Sequence, residues 1–128
     1  MPVDVIGGKP ALSLREKRVL FTRLLSSLVL WVTEHAGWEL AFGEGLVKFT
    51  DAADGDYDGP HKKDGAHYTG LGKDMDLYVN NEYVKDSGHP VWTVIGVKWE
   101  GMHELCRWGG RFPSPDANHF SLEHDGRS

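Results

Sequence analysis

Apolar residues recur at Leu14, Phe21, Leu24, Leu25, Leu28 and Val32. Spacings of three, four and seven gather them on one side of an α-helix. Ser13-Leu14-Arg15-Glu16 opens this run as a capping box, the serine covering an amide one turn in and the glutamate reaching back. Together they predict a helix of roughly 20 residues, with Gly37 as its stop. Its other face carries Arg15, Arg18 and Thr22, a solvated face or, in a sharper reading, a handle for anionic polymers. Upstream, Gly7, Gly8 and Pro10 predict an irregular lead-in over residues 1–12.

Beyond Gly37 the period shortens. Trp38 to Phe42 alternates and predicts a strand, closed by Gly43 and Gly45. From Thr50 to Ala66 almost nothing is apolar, which predicts a long loop. Asp74 to Asn80 alternates cleanly: Asp74, Asp76 and Tyr78 share one face, Met75, Leu77 and Val79 the other. Turns are expected at Asn80-Asn81 and at Ser87-Gly88-His89-Pro90. Trp92, Ile95, Trp99, Met102 and Cys106 fall at helical spacing and predict a second helix from Val91 to Arg107, stopped by Trp108-Gly109-Gly110. Pro113 and Pro115 hold the next segment extended, and His119 to His124 alternates as a last strand.

A chain of 128 residues is expected to form one domain, with no internal repeat. Its net charge of −5 argues against nucleic acid as a partner. Residues 1–35 hold five Lys/Arg against three acids, a surplus of +2 that leaves −7 for the rest. The opening MPVDVIGGKP has neither a basic nor an apolar signal region, so no secretory leader is expected. The most apolar run, Leu24 to Val32, is far short of the ~20 residues of a membrane span. Cys106, the one cysteine, excludes an internal disulfide.

Candidate chemistry concentrates in two stretches, His67-Tyr68-Thr69-Gly70-Leu71-Gly72-Lys73-Asp74 and Asp116-Ala117-Asn118-His119. Two imidazoles and a carboxylate, from His67, Asp74 and His119, make a donor set suited to Zn2+, and three protein ligands leave a fourth position open. Asp116, three residues before His119 in a segment expected to be extended, is placed as the general acid/base rather than as a fourth ligand. Glu123 and His124 are near enough in sequence to support the ligand shell. By default His35, His61, His89, His103 and His124 are expected at surface or satisfied polar positions. Cys106 near His103 admits a thiol-nucleophile reading, though an apolar helix face is ordinarily core. Asp54, Asp56 and Asp58 imitate the start of a Ca2+-binding loop, but Gly65 stands where the bidentate glutamate belongs.

HYTGLGKD, WGGRF and DANHFSLEH in one chain, with the helix-forming REKRVLFTRLLSSLVLWV before them, resemble the LAS-type zinc peptidases. That group includes D-Ala-D-Ala carboxypeptidases and dipeptidases, and the resemblance is greatest to phage L-alanyl-D-glutamate endopeptidases, over about Leu14 to Arg127. It implies an α+β fold with a small antiparallel sheet packed against helices. It also implies Zn2+ held by His67, Asp74 and His119, with Asp116 as catalytic acid/base. The expected activity is that of an endolysin, cleaving the L-Ala–D-Glu bond of peptidoglycan stem peptides. Such a protein would be a monomer made in the host cytoplasm and acting on periplasmic peptidoglycan. Departures are Ala66, Gly72 and the position of a family arginine, which reads Val47 here with Lys48 beside it. Lys48 offers a point charge to substrate or oxyanion, but no bidentate fork. Rival readings are a D,D-carboxypeptidase or dipeptidase in the same fold, and a non-catalytic wall-binding module that keeps zinc for stability.

Overall fold

The computed structural model of the protein describes residues 5–6, 9–43 and 69–128. The expected loop over Thr50–Ala66, with Asp54, Asp56 and Asp58, lies outside the described residues. What is described is α+β: two helices and a small open antiparallel sheet of five strands. The lead-in differs from the irregular segment expected, because β1 (Val5–Ile6) pairs antiparallel with β2 (Lys9–Pro10).

Helix α1 runs Leu14–Thr33, and its capping box is formed in both directions. Ser13 Oγ accepts from the Glu16 amide at 3.1 Å, and the Ser13 amide donates to Glu16 Oε1 at 3.0 Å. Accepting that backbone N–H, and then the serine hydroxyl contact, holds the Glu16 carboxyl below the ordinary glutamate range. Phe21, Leu25, Leu28 and Val32 form the buried stripe. Lys17 continues it one turn earlier, buried, with Nζ 3.0 Å from His124 Nδ1. The helix stops at Thr33, short of Gly37. That glycine (φ +81°) forms the turn into β3 (Trp38–Phe42), and its carbonyl accepts from the Asn80 amide at 2.8 Å.

Strand β4 (Gly72–Val79) organises the sheet. Its Met75–Val79 stretch pairs with β3, while Tyr78–Val79 pairs with β5 (Glu82–Tyr83) and Gly72–Asp74 with β7 (His119–Leu122). Asn80 and Asn81 both take left-handed φ values, +51° and +67°, as a two-residue hairpin turn with right-twisted strands requires. Beyond β7 lies β6 (Cys106–Trp108), giving the order β3-β4-β7-β6.

The second helix, α2, spans Pro90–Met102, with the His89 ring capping the Val91 amide at 3.2 Å. It ends five residues before the predicted Arg107. His103 is extended and its ring accepts from the Leu105 amide, so the chain turns and Cys106–Trp108 pairs with β7 instead. Cys106 at helical spacing was coincidence: strand pairing with Phe120–Leu122 overrides a pattern that fits both structures. Trp108-Gly109-Gly110 is accordingly not a helix stop but the end of β6 and the start of a 3-10 turn, Gly109–Arg111.

Both helices pack on the sheet through one core. Trp99 of α2 is fully buried, edge-on to Phe21 at 5.9 Å and to Phe120 at 6.0 Å. Its indole N–H is shared between the carbonyls of Arg107 (3.0 Å) and Ser121 (3.2 Å), which are register partners on β6 and β7. Each such large apolar side chain contributes about 1.5–3 kcal/mol by leaving water.

Candidate metal centre

Asp74 on β4 stands directly opposite His119 on β7. Opposed residues of an antiparallel pair project to the same face with Cβ atoms about 4.5–5.5 Å apart. Because Met75 and Phe120, the next residue on each strand, point into the core, Asp74 and His119 share the opposite face. His119 Nδ1 lies 3.4 Å from Asp74 Oδ1, with side chains 5% and 13% exposed. That separation exceeds the ~2.7–3.2 Å of a good N–H···O bond. It matches the ~3.3 Å edge of a tetrahedron whose corners lie 2.0–2.1 Å from a central zinc.

Asp116 reaches this pair through a turn, where an extended segment was expected. The His119 amide donates to the Asp116 carbonyl at 3.0 Å, and the Asp116 amide donates to the Gly109 carbonyl at 2.9 Å. The chain therefore folds back over the three-residue spacing. Asp74, Asp116 and His119 each offer one ligand atom, and these atoms lie within 4.8 Å of one another. The three can hold a metal ion, and two carboxylate oxygens with one imidazole nitrogen are a donor set compatible with zinc. Burial grades them: His119 is buried, Asp74 half-buried and Asp116 exposed. The Phe112 ring, 5.2 Å from the His119 ring, lies beside the histidine.

Of the four residues read from sequence as the site, the structure brings Asp74, Asp116 and His119 together. His67 lies outside the described residues, as do Lys48, the expected charge for substrate or oxyanion, and Asp54, Asp56 and Asp58. Glu123 and His124, near enough in sequence to support the ligands, have other partners, and His124 takes the satisfied polar position that is its default. Glu123 pairs with Arg107 at 3.6 Å, and His124 meets Lys17 and Asp125. His35 stacks on Trp38 at 4.3 Å, and the rings of His89 and His103 are spent on backbone amides, which satisfies all three. Cys106 is core: burial pushes its thiol up to about 12, so no thiolate nucleophile forms there at neutral pH.

Sequence reading missed the backing of the site. Gly109 lies so close to it that a Cβ would collide with the Asp116 carbonyl oxygen and come within 2.7 Å of the His119 Cβ. Trp108 donates its indole N–H to the Ala117 carbonyl at 2.7 Å. Paired glycines after a tryptophan were the available signal, since glycine marks close backbone approach as well as a helix end. Comparison with protein-family models and with curated proteins finds no match to this chain.

Proposed function

We propose that the protein is a zinc-dependent endopeptidase of the endolysin type, hydrolysing the L-Ala–D-Glu bond of peptidoglycan stem peptides. The observation that carries the reading is the convergence of Asp74, Asp116 and His119, from β4, the turn before β7 and β7, with ligand atoms inside 4.8 Å. These are three of the residues that the resemblance to LAS-type peptidases assigns. In this reading Asp74, His119 and His67 hold the ion and Asp116 is left for proton transfer. The exposure of Asp116 beside a buried His119 supports that division of labour.

A bound zinc ion supplies Lewis acidity, lowering the pKa of water to about 7 and polarising a carbonyl. The protein's own residues do the rest. Asp74 and His119, fixed opposite each other on the strand ladder, would each present one ligand atom to the ion. Asp116, at the open side, takes a proton from the attacking water on a carboxylate oxygen. Oxygen then bonds to the L-Ala carbonyl carbon, the C–N bond breaks, and Asp116 passes the proton to the departing D-Glu nitrogen. Positioned proton transfer of this kind contributes about 10²–10⁴-fold.

Product analysis on purified peptidoglycan tests the reading. New amino termini on D-Glu, abolished by a chelator and restored by Zn2+, are the expected result. Free D-Ala would favour the carboxypeptidase alternative, and intact peptidoglycan carrying bound protein would favour a wall-binding module.

A further inference from the structure

The turn that carries Asp116 to the centre has each of its three carbonyls satisfied by a different element. The Asp116 carbonyl accepts from the His119 amide within the turn, and the Asn118 carbonyl accepts from the Met75 amide of β4 at 2.9 Å. The middle carbonyl, Ala117, is buried and accepts from Trp108 Nε1 at 2.7 Å, the one side-chain donor of the three. The indole itself is held in a slot. Gly96 of α2 and Gly110 both approach it so closely that a Cβ at either would overlap the ring. The Arg111 guanidinium lies 5.8 Å from the ring centroid and is fixed in turn by Glu100, Nε to Oε2 at 2.7 Å. The slot, not the turn, therefore dictates where the N–H points.

From this we propose that Trp108 is a positioning residue of the metal centre: its N–H fixes the Asp116–His119 turn and so sets the separation of the two side chains. The proposal rests on the metal-centre reading above. Without the donor, the buried Ala117 carbonyl must find another partner, and an unmet buried acceptor is costly enough to drag the backbone. Strand pairing holds Asp74 and His119 opposite each other, so moving the turn shifts Asp116 relative to that pair and pulls on His119 through the amide that closes the turn. Groups that orient metal ligands from behind cost about 10- to 100-fold in metal affinity when removed.

Trp108→Phe keeps an aromatic ring but removes the pyrrole part of the indole with its N–H, and Trp99→Phe, which loses the same atoms from another buried indole, is its control for the lost volume. Trp99 also spends its indole N–H on buried strand carbonyls, but those of Arg107 and Ser121 rather than of the turn. Zinc affinity is measured by competition with a chromophoric chelator, at a temperature where circular dichroism shows every variant folded. Trp108→Phe is expected to weaken Zn2+ about 10- to 100-fold, while Trp99→Phe loses thermal stability and keeps wild-type affinity. Equal affinity in Trp108→Phe and wild type, or equal weakening in both variants, overturns the proposal. A measurement on the unaltered chain needs no variant to fold. Zn2+ should slow hydrogen exchange at the Trp108 indole and not at Trp99, and exchange at Trp108 indifferent to Zn2+ overturns the proposal. Wild type that takes up no zinc overturns both this role and the peptidase reading. Wild type that binds zinc but cleaves no peptidoglycan sinks only the peptidase reading, and the affinity comparison still decides for Trp108.

Discussion

Asp74 and His119 stand on paired strands, whereas Asp116 stands on a turn held by a neighbouring indole and a glycine carbonyl. The ladder side is stiff because its strands also bury Met75 and Phe120, each under 2% exposed, so sliding the register would empty the core. The turn side buries only the small Ala117 of its own three residues. Its geometry is borrowed from Trp108 and Gly109, which belong to another strand and the turn after it. A metal needs ligands that do not move, and proton transfer needs a carboxylate open to solvent and substrate. In the proposed reading the two constructions supply one each.

Breaking the ladder side should have the larger effect. His119→Ala removes a buried imidazole of the proposed ligand set while leaving the backbone pairing of β4 and β7 in place. Zinc per chain is expected to fall from near one to near zero by metal analysis, a loss beyond the ~100-fold that supporting residues cost. Unchanged zinc content would remove His119 from the centre. Gly109→Ala probes the turn side more gently. Its methyl must displace the Asp116 carbonyl, a strain of about 1–3 kcal/mol for overpacking that thermal unfolding would register. A shift of the turn near 1 Å should lower hydrolysis by ~10²-fold, with smaller loss of zinc than His119→Ala. Zinc loss as complete as that of His119→Ala would mean that the two sides are not separable.

Sequence patterns captured the parts of the fold set by local rules. The Ser13–Glu16 capping box and the Phe21–Val32 stripe define α1, and alternation defines β4. Nearness of the site residues was partly legible, since alternation put Asp74 and His119 on polar faces of their strands. That the two faces coincide depends on register between residues 45 positions apart, which no local period encodes. Lys17 lay in the apolar stripe of α1 and was buried there because His124 meets its ammonium, a long-range contact. The end of α2 was misplaced for the same reason: Cys106 fits a helix locally and a strand once Leu122 is beside it. The role of Trp108 was invisible until its indole could be seen against Ala117.

The claim on which the rest stands is that two constructions divide metal binding from proton transfer, and Asp116→Ala tests it most directly. Zinc content and peptidoglycan hydrolysis are measured on the same preparation of wild type and variant. One zinc per chain in both, with hydrolysis reduced about 10²–10⁴-fold in the variant, is the predicted result. Zinc lost together with activity would make Asp116 a ligand, and a variant that hydrolyses as well as wild type would leave the turn without a part in the chemistry.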